Sequence, residues 1–196
     1  MTLTILIPAA GSSSRMLGAD KLLENVGNEP ILRRVVSIAL AVTPDVIVTL
    51  RDPDPDRRTA LHGLPVQILT IPDAASGMAA SLRTGALHTQ TDALMILPAD
   101  MPDLTTTDLQ TMAAAHAKTP GTILRATDAN GTPGHPVILP AAHYAELTKL
   151  QGDQGARAIL TRHKVQMIPL PGTHATTDLD TPEDWAAYRR SRASAS

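Results

Sequence analysis

A run of small residues and two cations near the start of the chain have the composition of a phosphate-binding loop. The apolar run at 5–8 predicts a buried strand, and Arg15 and Lys21 follow a stretch of small side chains. Small side chains leave backbone N–H groups open to a phosphate chain, which an arginine fork and a mobile lysine can neutralise. The segment is therefore predicted to hold a nucleoside triphosphate, with binding residues Ala9, Ala10, Gly11, Ser12, Ser13, Arg15 and Lys21.

This loop matches neither of the two common phosphate-binding fingerprints. No Gly-Lys-Ser or Gly-Lys-Thr triplet ends it, and the glycine fingerprint of dinucleotide-binding folds is absent. A surface turn after an edge strand would explain the small residues, but it would not explain two cations at this spacing.

Three aspartates later in the chain are candidate ligands of a divalent cation. Asp100 follows the most apolar short run, 93–97, and is expected at the carboxyl end of a central strand. Asp178 and Asp180 alternate along an extended segment, so both carboxylates are expected on one side. Mg²⁺ prefers one or two carboxylates together with phosphate oxygens and water. An aspartate after a strand is also a common cap or turn residue, so the assignment depends on its combination with the loop.

The segments between these residues alternate between helical and strand patterns. Helices are predicted at 30–42, 53–62, 76–88, 105–118 and 156–163 and from Thr181 onwards, with Met78, Leu82 and Leu87 as the buried stripe of the third. Strands are predicted at 45–50, 66–71, 93–97, 121–126, 137–139, 165–170 and 176–179. Strands separated by helices indicate a parallel sheet that binds ligands at its carboxyl ends. We predict one doubly wound α/β/α domain over 1–196, with 189–196 as a frayed tail and Asp103 and Asp108 as helix-start and solvent residues.

The composition excludes several classes of protein. The chain has no Cys and no Phe, one Trp and two Tyr, so thiolate chemistry is excluded and aromatic stacking on nucleic-acid bases is disfavoured. A formal net charge of −2 gives no basic surface for a polyanion. The first residues, MTLTILIP, lack the features of a signal peptide, and no apolar run is long enough to span a bilayer. We expect a cytoplasmic protein that binds neither nucleic acid nor membrane.

Several segments, taken in order, resemble the molybdopterin-dependent nucleotidyltransferases, and in particular the molybdenum cofactor cytidylyltransferases. The first is Pro8-Ala9-Ala10-Gly11 with Arg15-Met16, Gly18 and Lys21, where Pro8 replaces the usual Leu and Leu17 is one extra residue. The others are Gly77-Met78 with Ser81-Leu82, Leu97 with Asp100 and Pro102, Gly134-His135-Pro136, Gly152-Asp153 with Gly155, and Asp178 with Asp180-Thr181-Pro182.

The resemblance implies a Rossmann-like nucleotidyltransferase fold with a mostly parallel sheet, and it implies roles for individual residues. Catalysis would fall to Arg15, Lys21 and Asp100, and contacts with the base and ribose to Gly77 and Ser81. Gly134, His135 and Pro136 would line the pocket of the second substrate. Mg²⁺ would be held by Asp100 with Asp178 as the direct ligand and Asp180 as co-ligand or helix cap.

The implied reaction is attack of the molybdopterin phosphate on the α-phosphorus of CTP, with release of pyrophosphate. An apo-molybdoenzyme is a candidate recipient of the product. Three alternatives stay open: an enzyme that uses GTP, a sugar-phosphate nucleotidyltransferase, and a non-catalytic chaperone that carries molybdopterin to an apo-oxidoreductase. From the residues alone, His135 is more often a structural histidine, Ser76 is equally well the cap of a plain amphipathic helix, and Asp153 is sufficiently explained as a helix cap.

Overall fold

A seven-stranded sheet forms the centre of the computed structural model, which describes residues 2–193. In chain order the strands are β1 Leu3–Pro8, β2 Asn25–Val26, β3 Glu29–Pro30, β4 Val46–Arg51, β5 Gln67–Ile71, β6 Ala93–Ile96, β7 Ile123–Thr127, β8 Pro133–Pro140 and β9 Val165–Pro169. The helices are α1 Ile31–Leu40, α2 Pro55–Ala60, α3 Met78–His88, α4 Thr106–Lys118, α5 Tyr144–Leu147, α6 Arg157–Leu160 and α7 Pro182–Ala193. Strands β2 and β3 form a separate two-stranded sheet.

The order of strands in the large sheet is β5-β4-β1-β6-β8-β7-β9. Strands β5, β4, β1 and β6 run parallel to one another, β8 is antiparallel to both of its neighbours, and β7 and β9 are parallel. Leu6 in β1 pairs with Ile47 on one side and with Ile96 on the other. The predicted fold class, an α/β fold with a mostly parallel sheet, is confirmed.

Helices cover both faces of the sheet because the strands are apolar on both faces. Ile5 and Ile7 belong to a core that includes buried residues of α1 and α4 together with Trp185 of α7. Leu6, which points to the opposite face, belongs to a second core that includes buried residues of α3, α5 and α6. These two cores make the three layers, and the carboxyl ends of β1, β4 and β6 lie along one edge.

Two local predictions were wrong. Residues 176–179 form no strand, because the N–H groups of Thr176 and Thr177 both donate to the Thr173 carbonyl at 2.9 Å and close a turn. Of the predicted buried stripe of α3, only Leu82 is buried, and it packs into the second core together with Ala79 and Ala86. Met78 and Leu87 are exposed.

Asp108, predicted to face solvent, is buried. It forms a capping box with Thr105 at the start of α4, and it is hydrogen-bonded to His174 Nδ1 at 2.8 Å. The buried Asp108 therefore holds the loop of residues 171–180 against α4.

The last helix continues further than the composition predicted. Helix α7 ends at Ala193, so residues 189–193 are helical rather than a frayed tail, and 194–196 lie outside the described residues. Within residues 2–193, every helix is too short or too polar to cross a lipid bilayer.

The backbone of β8 lies in close contact with the loop of residues 171–180 at Gly134. A Cβ atom on Gly134 would lie 1.8 Å from the Ala175 carbonyl oxygen, and the next residue, His135, donates its N–H to that oxygen at 2.8 Å. The glycine is therefore required by packing alone, whatever else the segment does.

We expect Gly134→Ala to lower the free energy of unfolding by about 3 kcal/mol, because a backbone oxygen cannot move aside as a flexible side chain can. Gly121→Ala is the matched control, since a Cβ there meets no atom within 4 Å, and its effect should stay within about 1 kcal/mol. Urea unfolding of the three proteins measures both effects. Equal stability of the two variants would contradict the close contact.

Candidate active site

A cavity of about 780 Å³ opens at the carboxyl ends of β1, β4 and β6. Most of the residues singled out in the sequence line it, although they come from four separate segments. They are Ala9, Ala10, Gly11, Ser12, Ser13, Arg15, Lys21, Gly77, Ser81, Asp100 and Asp180. The structure thus brings the phosphate-binding loop, two cations and two carboxylates to one place.

The loop leaves β1 with its first residue still tied to the sheet. The Ala9 N–H donates to the Thr49 carbonyl at 3.0 Å, and the chain then turns through Ser13, whose φ of 53° is in the left-handed region. A Cβ on Gly11 would meet no atom within 4 Å. The backbone at Gly11 is therefore exposed to the cavity, as binding of a phosphate chain requires.

The buried side chain of Arg57 in α2 fixes the position of this loop. Its guanidinium donates to the Ala9 carbonyl at 2.6 Å, to Ser13 Oγ at 3.2 Å and to both carboxylate oxygens of Asp20 at 2.7 and 2.8 Å. Burial raises the pKa of Asp20. The hydrogen bond and charge of Arg57 outweigh this effect, so the pKa lies below its usual value. Sequence reasoning missed Arg57, because an arginine in a short polar helix carries no signal of burial.

Lys21 connects the loop to two carboxylates from distant parts of the chain. Its ammonium nitrogen lies 2.5 Å from Asp100 Oδ2 and 2.5 Å from Asp180 Oδ1, and Arg15 pairs with the other oxygen of Asp180. Burial lowers the pKa of Lys21, but the two carboxylates raise it above its usual value. Lys21 is therefore a charged ammonium at neutral pH.

Asp178 lies beside this network and carries the excess negative charge. Burial raises its pKa, and the neighbouring carboxylates Asp100 and Asp180 raise it further. Asp178 is not among the residues that line the cavity, whereas Asp180 is. The cap of α7 is formed by Thr181 and Asp184, whose side chains exchange hydrogen bonds with each other's backbone, so the Asp180 carboxylate is not the cap.

The donor chemistry of these carboxylates fits a hard divalent cation. Asp100, Asp178 and Asp180 supply only oxygen ligands, and a cation would offset both the burial of Asp178 and the neighbouring carboxylate charges that raise its pKa. The three carboxylates do not form a group with ligand atoms all within 4.8 Å of one another. In this conformation Lys21 forms ion pairs with two of them, Asp100 and Asp180.

Gly134, His135 and Pro136, predicted to line the pocket of the second substrate, are not among the residues that line the cavity. His135 Nδ1 is buried and finds no hydrogen-bond partner among the described residues. Burial, and then the charge of Arg125, lower the pKa of His135 to about 4, so the imidazole is neutral at pH 7. The contact of Gly134 with Ala175 accounts for this glycine without a ligand.

Two of the quoted motifs, 75 residues apart, meet at the cavity. A Cβ on Gly77 would lie 2.4 Å from Asp153 Oδ1, and the Ala79 N–H donates to the Gly152 carbonyl at 3.1 Å. Asp153 lines the cavity and does not cap α6, whose cap position is Ala156. Arg51 and Asp52, at the carboxyl end of β4, also line it, and only their position at a strand end could have indicated them.

Comparisons of the sequence with known proteins identify its relatives. A sequence-family model described as the MobA-like NTP transferase domain matches residues 5–167. A curated relative from Synechococcus elongatus, named probable molybdenum cofactor guanylyltransferase, is 32% identical over 188 residues, which are 93% of this chain and 96% of the relative.

Solved structures share the fold along the whole chain. A homologue of Mycobacterium tuberculosis Rv0371c from Mycobacterium sp. strain JC1 has a TM-score of 0.86 and 25% identity, covering 99% of this chain and 98% of that one. Rv0371c from Mycobacterium tuberculosis, described as a complex with manganese, has a TM-score of 0.78 and 24% identity, covering 97% of both chains.

We expect Arg57→Met to lower the free energy of unfolding at pH 7 by about 3–5 kcal/mol, because it removes the buried guanidinium that binds both carboxylate oxygens of Asp20. Arg58→Met, in the same helix but exposed, is the matched control and should change it by no more than about 0.5 kcal/mol. Urea unfolding compares the variants.

The difference between wild type and Arg57→Met should also depend on pH. Because the folded-state pKa of Asp20 is lowered, its contribution is complete above the unfolded value of 3.8 and is lost as the pH falls through the folded value. The difference should therefore be smaller at about pH 3 than at pH 7. A difference that is constant across this range would show that the Asp20 pair does not contribute.

Proposed function

Since this chain belongs to the MobA-like NTP transferase family, we propose that it transfers a nucleoside monophosphate from a nucleoside triphosphate to the phosphate of molybdopterin. One observation carries the proposal. The phosphate-binding loop, Lys21, Asp100 and Asp180 face one cavity at the carboxyl ends of parallel strands. The name of the Synechococcus relative supports the choice of molybdopterin as acceptor.

In the proposed reaction, an oxygen of the acceptor phosphate attacks the α-phosphorus of the triphosphate. A new P–O bond forms there, the bond to the bridging oxygen of the β-phosphate breaks, and pyrophosphate leaves with that electron pair. An ionised phosphate needs no protein base, so the protein contributes positioning and neutralisation of charge.

The loop and Arg15 would hold the β- and γ-phosphates. The backbone at Gly11 is open to the cavity, and the Arg15 side chain is 69% exposed, so its guanidinium can exchange Asp180 for a phosphate without crossing protein. Lys21 would meet the charge that grows on the α-phosphoryl group, because its ammonium lies between Asp100 and Asp180 at the inner end of the loop.

We propose Mg²⁺ as the cofactor, held by Asp100 and Asp180, with Asp178 contributing negative charge beside them. When bound, the ion would supply neutralisation of the charge on the phosphate oxygens. Asp180 is the better candidate for the second ligand, since it lines the cavity and Asp178 does not.

GTP is our first candidate for the nucleotide. The relative that matches 93% of the chain is named a guanylyltransferase. CTP remains the second candidate, because Ala9-Ala10-Gly11 and Gly134-His135-Pro136 resemble the cytidylyltransferases. The second of these segments is not among the residues that line the cavity, which weakens the case for CTP.

A non-catalytic chaperone that carries molybdopterin to an apo-molybdoenzyme is the candidate from another class. It would have little use for a half-buried lysine paired with two carboxylates next to a cavity of about 780 Å³. Mg²⁺-dependent release of pyrophosphate from a nucleoside triphosphate and molybdopterin separates the two classes, because a chaperone releases none.

We expect Lys21→Ala to lower kcat by about 10²–10³-fold, while the Kd of the triphosphate rises less than about tenfold, because the ammonium acts where charge develops. Lys118→Ala, an exposed lysine at the end of α4, is the matched control and should match wild type in both. Steady-state kinetics and equilibrium binding give the two numbers. Equal losses in kcat and affinity would contradict a role in the transition state.

We expect GTP with Mg²⁺ to raise the melting temperature more than CTP, ATP or UTP does, because a ligand that binds only the folded state stabilises it. Asp100→Ala should abolish the Mg²⁺-dependent part of the shift. The same melting-temperature measurement with Mn²⁺ in place of Mg²⁺ tests the metal that is named for the structure of Rv0371c. A shift with CTP alone would assign the chain to cytidylyl transfer, and no shift with any nucleotide would favour the chaperone.

A further inference from the structure

Two histidines and a glutamate converge on one point at the surface, away from the cavity. His143 ends a 3₁₀ turn, Glu146 lies in α5, and His163 follows α6. His143 Nδ1 lies 2.9 Å and His163 Nε2 lies 2.8 Å from the same atom, Glu146 Oε1. The two imidazole rings meet edge to face, with centroids 4.5 Å apart.

These three side chains are the one group of three or more histidine, aspartate or glutamate residues, within residues 2–193, whose ligand atoms all lie within 4.8 Å of one another. Their side chains are 16%, 27% and 34% exposed, so the group is partly shielded yet reachable from solvent. None of the three lines the candidate active site.

We propose that His143, Glu146 and His163 bind a divalent transition-metal ion of the Zn²⁺ class. Two imidazole nitrogens and a carboxylate oxygen are a donor set that Zn²⁺, Co²⁺, Ni²⁺ and Cu²⁺ accept, whereas Mg²⁺ and Ca²⁺ prefer oxygen alone. The ion takes the position between the three donor atoms, and each neutral imidazole then carries its single proton on its other ring nitrogen. Three protein ligands leave a fourth position for water.

The surroundings orient the ligands for this role. Arg162 Nη2 lies 3.1 Å from Glu146 Oε2, so the second carboxylate oxygen is held by the guanidinium and Oε1 faces the two imidazoles. A partner that holds the far side of a ligand carboxylate is a common feature of metal sites. The positive charge of Arg162 opposes the ion, so the affinity should be moderate.

The site joins the two flanks of a segment that reaches the cavity. Glu146 precedes and His163 follows residues 148–156, in which Asp153 lines the cavity and the Gly152 carbonyl accepts from Ala79. A metal ion would therefore cross-link the ends of this segment and restrict its motion.

The experiment is calorimetric titration of the chelator-treated full chain with Zn²⁺ alone, in buffer that contains excess Mg²⁺ to fill the carboxylate site. We expect one Zn²⁺ per chain, and His143→Asn, His163→Asn and Glu146→Gln should each weaken binding at least about tenfold. Co²⁺ provides a spectroscopic reading, since loss of an imidazole ligand changes its visible absorption.

Two controls separate this site from other sources of binding. His62→Asn removes an exposed histidine outside the group, and Asp100→Ala removes the carboxylate site, so both should bind Zn²⁺ as wild type does. The melting temperature without metal checks the fold of each variant. Binding unchanged in all three ligand variants, or no binding by the wild type up to about 1 mM Zn²⁺, would overturn the proposal and leave a hydrogen-bonded surface triad.

Discussion

The ion pairs of Lys21 are the interaction on which the candidate active site depends. They join the loop after β1 to residues 79 and 159 positions away in the sequence, at the end of β6 and before α7. Without the ammonium, Asp100, Asp178 and Asp180 would place three carboxylates together at a partly buried position, where burial, and then the charges of Asp100 and Asp180, already raise the pKa of Asp178. The carboxyl edge of the sheet therefore requires a cation in order to assemble.

Arg57 holds the same loop from the protein interior, where its side chain is out of contact with solvent. Its guanidinium is fully buried and binds the carbonyl of Ala9 and the carboxylate of Asp20, the residue immediately before Lys21. The position of Lys21 is thus set by the guanidinium of Arg57 on the interior side and by the carboxylates of Asp100 and Asp180 on the cavity side. A planar arginine suits the buried position and a flexible lysine the half-buried one at the cavity, since of the two only the lysine is proposed to contact the substrate.

The sequence alone predicted the elements that depend on local patterns. The apolar runs predicted the parallel strands, and the spacing of small residues and cations predicted the loop. It failed where a contact with a distant segment decides the structure. A strand is predicted at 176–179, but no neighbouring strand pairs with it and the chain turns at Thr173. Arg57 and Asp108 are buried by contacts with distant segments, which the local hydrophobic pattern does not reveal. The need for glycine at position 134 likewise comes from the carbonyl of Ala175.

Binding of a triphosphate together with a divalent cation would exchange the partners of this network. A divalent cation held by Asp100 and Asp180 would neutralise both carboxylates, and the ammonium of Lys21, which has three donors, would then be available to phosphate oxygens. The desolvation of the carboxylates is compensated in both arrangements, so neither state leaves a buried charge unpaired. The same argument explains why nucleotide and cation should bind together: each supplies the partner that the other displaces.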